Sequence, residues 1–303
     1  DGKERYESAD FLYPHFLFSG IMEDEKEKRG ENRILNSQIE RQFQERSKRE
    51  ALRLNKFLSE AGVCSRREAD RLIEAGRVTV DGKKAETGMK ITPGQEVRVD
   101  QKLVKPEEEM IVLAVNKPRG IVCTEEKREP DNIIRFLNYP TRITYAGRLD
   151  KDSEGLLLMT NNGDIINKMM RAGNYHEKEY LVTVDKPVTE EFLQHMARGV
   201  PILDTVTRPC QVKKEGKKTF RIVLTQGLNR QIRRMCEALG YKVVTLKRVR
   251  IMQIRLGDLK PGQYRPLTEQ ELASLDRMLE HSSNMPERDR KNRERKENRR
   301  QKP

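Results

Sequence analysis

The chain has 303 residues, a length that suits about two domains of ordinary size. Lys and Arg number 61 against 48 Asp and Glu, which gives a formal net charge of +13. No run of about 18 apolar residues occurs, and this excludes a membrane-spanning helix. No signal-peptide pattern is found, so we expect a cytoplasmic protein. The 4 cysteines and 4 histidines lack the spacing of disulfide frameworks or metal ligands, and we predict no metal site.

The positive charge is unevenly distributed along the chain. The formal net charge is −2 over residues 1–50, +10 over 51–280 and +5 over 281–303. The basic middle indicates a polyanionic partner. An anionic membrane surface is the weaker alternative, because it would need a basic amphipathic helix with large apolar residues and none is found. We interpret residues 1–50 as a charged N-terminal extension without recognisable chemistry.

A first compact unit is predicted over residues 53–100. RLNKFLSEAG and SRREADRLIEAG have apolar residues at helical spacing, and each segment ends in glycine. Ser65, followed by Glu68, forms a capping-box pattern at the start of the second helix. Short alternating strands follow around an Asp81–Gly82 turn. The helix starts are rich in basic residues, which the helix dipole disfavours, so they form either a solvated charged face or a phosphate-binding surface.

This segment resembles the S4 RNA-binding domain, the small helical module of a small-subunit ribosomal protein and of many RNA-modifying enzymes. The resemblance covers about 48 residues and depends on the basic helix starts and on the GRVTVDG stretch. The resemblance favours the phosphate-binding interpretation. The RNA-binding residues expected here are Arg53, Lys56, Ser65, Arg66 and Arg67.

A second domain is predicted over residues 110–280. Strand patterns such as MIVLAVNKP, EKEYLVTVDKP and TFRIVLTQG alternate with short helical patterns such as DNIIRFLN and VTEEFLQHMARGV. The fold class is therefore α+β: a small N-terminal S4-like domain and a larger domain with a mixed, mainly antiparallel sheet. Neither G-x-G-x-x-G nor G-x-x-x-x-G-K-[ST] occurs, so the usual signatures of nucleotide-phosphate binding are absent from the sequence.

Three segments of this domain carry candidate chemistry. In GRLDKDSEGLLLMT, Asp150 lies in a polar turn before a buried strand, which is either an ordinary turn or a fixed carboxylate able to act as nucleophile or proton acceptor. In GLNRQIRRMCEALG, Asn229 is a candidate helix cap, and the arginines form either a basic surface or phosphate contacts with one arginine paired to a buried carboxylate. Tyr180 is either an ordinary strand aromatic or a stacking platform for an extruded base.

Together the segments resemble the pseudouridine synthases of the small-subunit ribosomal type. The sequence contains the K-P-x-G motif as Lys117–Gly120, the G-R-L-D-x-x-(S/T)-x-G-L motif as Gly147–Leu156, and the N-R-Q-I-R-R-M motif as Asn229–Met235. These motifs occur in the family's order, after an S4-like domain. The HEKEYLVTVDKP stretch is most similar to the large-subunit ribosomal RNA pseudouridine synthase F branch.

The resemblance implies that the chain isomerises a uridine of ribosomal RNA, in 23S RNA above all, to pseudouridine. The enzyme detaches uracil from ribose, turns it and rejoins it through carbon, without a cofactor. The resemblance also implies that the catalytic residues are Asp150, Tyr180 and Arg233, with Arg233 paired to Asp150. It implies further RNA contacts, and the residues expected to make them are Lys117, Arg148, Asn229, Arg230, Gln231 and Arg234.

The remaining expectations concern partners. We expect a monomer that binds ribosomal RNA, with transfer RNA as a further candidate, and that needs no membrane and no small-molecule cofactor. The alternative is a non-catalytic S4-type RNA-binding or ribosome-assembly protein. Retention of the whole GRLD segment argues against that alternative.

Residues 281–303 are predicted to form a disordered basic tail, since they contain one Met and no other large apolar residue. Removing these residues is therefore expected to change the melting temperature by less than about 1 °C, because a segment that buries little apolar surface contributes little to stability. Differential scanning calorimetry of the full chain and of the chain ending at residue 280 measures this. A drop of several degrees would show instead that the tail is packed.

Overall fold

The computed structural model describes residues 51–105, 110–126, 128–170 and 175–280. The predicted N-terminal extension and the predicted C-terminal tail lie outside these residues. No helix in the described ranges is long and apolar enough to cross a lipid bilayer.

In the smaller domain, two helices pack against a four-stranded antiparallel sheet. The helices are α1 (Leu54–Glu60) and α2 (Arg66–Glu74), and the strands are β1 (Leu52–Arg53), β2 (Val78–Val80), β3 (Lys83–Lys84), β4 (Lys90–Ile91), β5 (Val97–Val99) and β6 (Lys102–Leu103). The sheet has the order β3-β2-β5-β6, and β1 pairs with β4. The Ser65 hydroxyl accepts a hydrogen bond from the backbone N–H of Glu68 at 3.2 Å, which confirms the predicted cap of α2.

A nine-stranded sheet forms the centre of the larger domain. Its strands are β7 (Val112–Lys117), β8 (Thr144–Ala146), β9 (Glu154–Thr160), β10 (Lys178–Val184), β13 (Gln211–Gly216), β14 (Thr219–Leu224), β15 (Val243–Ile251), β16 (Ile254–Arg255) and β17 (Tyr264–Pro266). The main order is β13-β14-β10-β15-β9-β7-β17, with β16 beside β15 and β8 beside β9. A separate hairpin consists of β11 (Pro201–Ile202) and β12 (Thr205–Val206). The predicted α+β class is confirmed.

The described part of the larger domain contains five helices. They are α3 (Ile133–Leu137), α4 (Gly163–Met170), α5 (Glu190–Arg198), α6 (Gln231–Ala238) and α7 (Glu269–Glu280). Helices α5 and α6 share a hydrophobic core with β10 and β14, whereas α4 and α7 share one with β7 and β9. The last helix begins at Glu269, just after residues 264–266 pair with β7 as an edge strand.

All neighbouring strands of the central sheet are antiparallel except β9 and β15, which run parallel. Gly155 in β9 lies beside Arg248 in β15 with φ = +106°. A Cβ atom at Gly155 would clash with the carbonyl oxygen of Arg248 and lie 2.7 Å from its backbone nitrogen. Only glycine permits this backbone conformation and this close approach. The pairing fixes the start of β9, and with it the preceding Asp150 turn, against β15.

Replacing Gly155 by alanine is expected to lower the free energy of unfolding by at least about 2 kcal/mol, because the substitution adds backbone strain to a steric clash. Urea denaturation followed by circular dichroism measures the loss. Gly216→Ala is the matched control: Gly216 also lies in the sheet, but its φ is outside the left-handed region and the nearest atom to an added Cβ is 3.8 Å away. A change of similar size in both variants would contradict the argument.

Candidate active site

One cleft of about 290 Å³ is lined by all three residues expected to be catalytic, Asp150, Tyr180 and Arg233. It lies where the turn before β9, the strands β10 and β15, and the start of α6 meet. The turn contributes Asp150, β10 contributes Tyr180 and α6 contributes Arg233. Residues 83 positions apart in the chain (150 and 233) thus share one cavity only because the central sheet brings their elements together.

The Asp150 turn is supported from below by Lys117. This lysine is fully buried at the end of β7, and its ammonium donates hydrogen bonds to the carbonyl oxygens of Pro118 (2.7 Å) and Ser153 (2.8 Å). Burial lowers the pKa of Lys117, while neighbouring acidic groups, Asp150 among them, raise it. The expectation that Lys117 contacts RNA is therefore wrong: its ammonium has no access to a phosphate, and the residue positions the turn instead.

Arg233 supports the same turn from the side. Its Nη2 atom donates to the Ser153 hydroxyl and to the Asp152 carbonyl oxygen, each at 3.2 Å. The expected ion pair with Asp150 is formed instead by Arg230, whose Nη1 lies 3.5 Å from the Asp150 carboxylate. Arg230 has a left-handed backbone (φ = 49°), which places its side chain over residues 150–152. Asp150 is also less buried than expected, since its side chain is 36% exposed.

Tyr180 lies on the cleft face of β10. Across the sheet it pairs with Ile222 on one side and Arg248 on the other. Directly opposed residues of antiparallel strands point to the same face, so Tyr180 and Arg248 both face the cleft. Tyr180 is half-buried and packs against two hydrophobic cores, which fixes its ring beside Asp150 while one part stays accessible.

One other prediction about the α6 segment is wrong. Asn229 does not cap α6, because Arg230 occupies that position; Asn229 accepts hydrogen bonds from Arg234 through its carbonyl oxygen (3.1 Å) and its side chain (3.2 Å). The RNA contact expected at Gln231 stays a prediction: the residue lines the cleft, is buried, and its Oε1 accepts from the backbone N–H of Leu228 at 3.1 Å. The loop before α6 is thus held by its own polar side chains.

The RNA-binding residues expected in the smaller domain lie outside the cleft. Arg53, Arg66 and Arg67 are exposed on the smaller domain. Lys56 instead turns to the larger domain, where its ammonium lies 2.9 Å from the carboxylate of Asp164 at the start of α4. The prediction of an RNA contact at Lys56 therefore competes with a contact between domains. Arg66 also approaches the larger domain, since its Nη2 would lie 3.1 Å from a Cβ atom at Gly163.

The sequence interpretation did not include two cleft residues, Lys178 and Arg248. Lys178 precedes Tyr180 by two positions on β10, and Arg248 is 2% exposed on β15. Burial and the neighbouring Arg248 lower the pKa of Lys178 to about 8. The sequence did contain an indication of both residues. Strand alternation places Lys178 on the same face as Tyr180, and it places Arg248 on the same face as the buried Leu246.

The fold and the cleft define a class of protein: an enzyme that positions a carboxylate beside an aromatic ring and several arginines, joined to a small basic domain. Two family models match the chain, the S4 domain over residues 52–97 and the RNA pseudouridylate synthase family over residues 111–238.

Individual relatives agree with these family models. The dual-specificity RNA pseudouridine synthase RluF of Escherichia coli (strain K12) is 55% identical over 235 residues, which cover 77% of this chain and 81% of the relative. Ribosomal small subunit pseudouridine synthase A of Yersinia pestis is 38% identical over 234 residues, covering 74% and 98%. A crystal structure of a pseudouridylate synthase superposes with a TM-score of 0.56 at 32% identity, covering 74% and 100%. The chain belongs to the RNA pseudouridine synthase family.

Lys117→Met is expected to lower the free energy of unfolding by about 2 kcal/mol, because the variant leaves two buried carbonyl oxygens without a hydrogen-bond donor. Thermal and urea unfolding measure the change. Lys151→Met is the control, since Lys151 lies in the same turn with an exposed side chain and should stay within about 0.5 kcal/mol of the original protein. Equal losses in the two variants would contradict the buried supporting role of Lys117.

Proposed function

We propose that this enzyme isomerises a uridine of large-subunit ribosomal RNA to pseudouridine, with Asp150 as the catalytic carboxylate. The observation that carries the proposal is the shared cleft of Asp150, Tyr180 and Arg233. Relatives whose names specify ribosomal RNA support the substrate class, including ribosomal large subunit pseudouridine synthase B of Bacillus subtilis (strain 168), 35% identical over 241 residues.

In this proposal the target uridine leaves its stack and enters the cleft. A base inside folded RNA is inaccessible to a carboxylate until it is extruded, at an energetic expense of a few kcal/mol. The ring of Tyr180 offers a stacking surface for the extruded base. Arg148, exposed at the rim of the cleft, is placed to occupy the space that the uridine leaves in the RNA.

The carboxylate of Asp150 is positioned by three basic residues with separate tasks. Arg230 makes the direct ion pair, while Lys117 and Arg233 hold the backbone of the turn. Because the pair with Arg230 is partly exposed and 3.5 Å long, it is a weak interaction. RNA phosphates compete for an exposed arginine, so substrate binding can release Asp150 to act on the bound nucleotide.

Phosphate contacts are proposed for two regions. Arg53, Arg66 and Arg67 form a basic surface on the smaller domain. Arg148 and Arg230 line the cleft, and Arg234 lies next to it on α6, hydrogen-bonded to Asn229. The protein acts as a monomer in this proposal. Transfer RNA is proposed as a second substrate; the name of the RluF relative, which includes "dual-specificity RNA pseudouridine synthase", supports a second RNA without specifying which.

Asp150→Asn is expected to reduce pseudouridine formation to below about one thousandth of the original rate, since it removes the proposed reactive carboxylate without changing the size of the side chain. Large-subunit ribosomal RNA transcribed with tritium at uridine C5 is the substrate, and tritium released into water measures the product. RNA affinity, measured by filter binding, should change by less than about twofold.

Asp152→Asn is the matched control for this experiment. Asp152 lies in the same turn but its side chain does not line the cleft, so the variant should keep most of the activity. Undiminished turnover by Asp150→Asn would contradict the proposed role of Asp150. Absence of product with the original protein on both ribosomal and transfer RNA would favour the alternative of a non-catalytic RNA-binding protein.

A further inference from the structure

The floor of the cleft contains two cations that the proposed mechanism does not use, Lys178 and Arg248. Strand β10 directs Lys178 and Tyr180 to the same face, and Arg248 is the residue opposite Tyr180 on β15. Both cations line the cleft together with Asp150. They are close enough that Arg248 contributes to the lowered pKa of Lys178.

Neither cation forms an ion pair with a carboxylate of the described residues. Arg248 donates from Nε to the carbonyl oxygen of Leu156 (2.7 Å) and from Nη1 to that of Arg148 (3.4 Å). Its Nη2 atom is buried and has no hydrogen-bond partner among the described residues. The ammonium of Lys178 donates to the carbonyl oxygen of His176 at 3.2 Å. At least one guanidinium donor, Nη2 of Arg248, is therefore buried without a hydrogen-bond partner among the described residues.

A buried arginine beside a half-buried lysine, neither with an ion-pair partner among the described residues, is an unfavourable arrangement. Each loses hydration on burial, and each repels the other. Such an arrangement is favourable only when a negatively charged or strongly polarised oxygen lies between the donors. The floor of this cleft is therefore built to receive an oxygen atom of the substrate.

We propose that Lys178 and Arg248 form an oxyanion site that holds a carbonyl oxygen of the target uracil while the base is detached from ribose. This inference rests on the proposed function. It assigns a catalytic role to two residues that contact the reacting base, beyond the roles of Asp150, Tyr180 and Arg233.

The chemistry of the reaction produces negative charge on these oxygens. When the C1′–N1 bond breaks, both of its electrons remain with the base, and the charge spreads from N1 onto O2 and O4. C1′, left short of an electron pair, is held beside the Asp150 carboxylate until an electron pair of the ring forms the C1′–C5 bond. C5 then loses its proton and N1 gains one, so the number of protons on the nucleoside does not change. The step needs no oxidant or reductant. Donors placed at O2 or O4 therefore lower the barrier to detachment.

The geometry of uracil also suits one fixed pair of donors. Turning the detached ring about its N3–C6 axis exchanges N1 with C5, as the reaction requires. The same rotation exchanges O2 with O4, so an oxygen returns to the position that the other oxygen has left. Lys178 and Arg248 can thus hold the base before and after rotation without moving.

A phosphate group of the RNA could also place an oxygen acceptor between these two donors, but the depth of the site disfavours it. Arg248 is 2% exposed, whereas the arginines at the rim, Arg148 and Arg230, are exposed. The extruded base reaches the floor first, and the phosphates of its nucleotide remain near the rim. Loss of Lys178 should therefore reduce the rate of the chemical step rather than RNA affinity.

The test measures single-turnover tritium release from large-subunit ribosomal RNA, together with filter binding. Lys178→Met is expected to reduce the rate at saturating enzyme by about 100-fold, the effect of losing one oxyanion donor, and to change Kd by less than about twofold. Lys178→Arg should recover a large part of the rate. Lys213→Met, which removes an exposed lysine from β13 of the same sheet, is the control and should match the original protein.

The pH profile supplies a second readout. Lys178 faces titratable and charged groups from several elements: Arg248 on β15, Tyr180 on β10, His176 before it, Arg148 and Asp150 in the turn, and Arg230 and Arg233 at the start of α6. Because the pKa of Lys178 is about 8, the charged form is lost as pH rises through this value. The original protein should slow above pH 8, whereas Lys178→Arg, whose guanidinium stays protonated, should not.

The outcomes are distinguishable. If the original protein makes no pseudouridine, the proposed function fails before the inference is tested. If the original protein is active and Lys178→Met has the same rate, the oxyanion site is refuted. It is also refuted if Lys178→Met only lowers RNA affinity while its rate at saturating enzyme is unchanged. Arg248→Lys adds a further measurement: with circular dichroism unchanged, it should also lower the rate, and an unaltered rate would count against Arg248.

Discussion

The close backbone contact between Gly155 and Arg248 determines how the rest of the active site is arranged. It joins β9 to β15 in the one parallel pairing of the described central sheet. The turn that carries Asp150 immediately precedes β9, so this contact sets the height of the carboxylate above the sheet. On β15 the same contact sets the position of Arg248, which pairs with Tyr180 of the neighbouring strand β10. One glycine thereby links the turn to the floor of the cleft.

The basic residues of the cleft are divided by burial into two groups. Lys117 and Arg233 have most of their hydrogen bonds with the backbone and hydroxyl of the turn, and they act as internal supports. Arg230 and Arg148 lie at the rim, where they are accessible to RNA. Phosphate recognition and positioning of the carboxylate therefore depend on different side chains, although all of them carry the same charge.

The sequence predicted the elements of the fold well because the periodic patterns are strong and local. The cap at Ser65, the buried strand after Asp150 and the helix capped by Thr189 all follow from contacts within a few residues. The family motifs also indicated which residues share the cleft. Side-chain partners were harder to predict: Arg230 replaced Arg233 as the partner of Asp150 because a left-handed residue begins α6. No sequence pattern indicates that conformation.

Burial was the second property that the sequence did not reveal. Lys117 ends a hydrophobic strand and Gln231 precedes an apolar helix face; both were expected to contact RNA because they match the family motifs, and both are buried. Lys117 donates to the carbonyl oxygens of Pro118 and of Ser153, which is 36 positions away, whereas Gln231 accepts from the backbone N–H of Leu228, three positions before it. Lys178 and Arg248 were not predicted, because strand alternation shows which face of the sheet a residue lies on but not that this face lines a cleft. Only the three-dimensional arrangement shows which polar groups have interior partners.

The parallel pairing of β9 with β15 has a consequence for how the chain acquires activity. Arg248 and Leu156, which are hydrogen-bonded across this pairing, are separated by 92 positions in the chain. Bringing such distant segments together requires closure of a long loop, and contacts of this kind form slowly compared with local helices and hairpins. The cleft is thus completed by one of the most non-local contacts in the molecule. A newly made chain whose local elements have already formed would still lack a working active site until this contact closes.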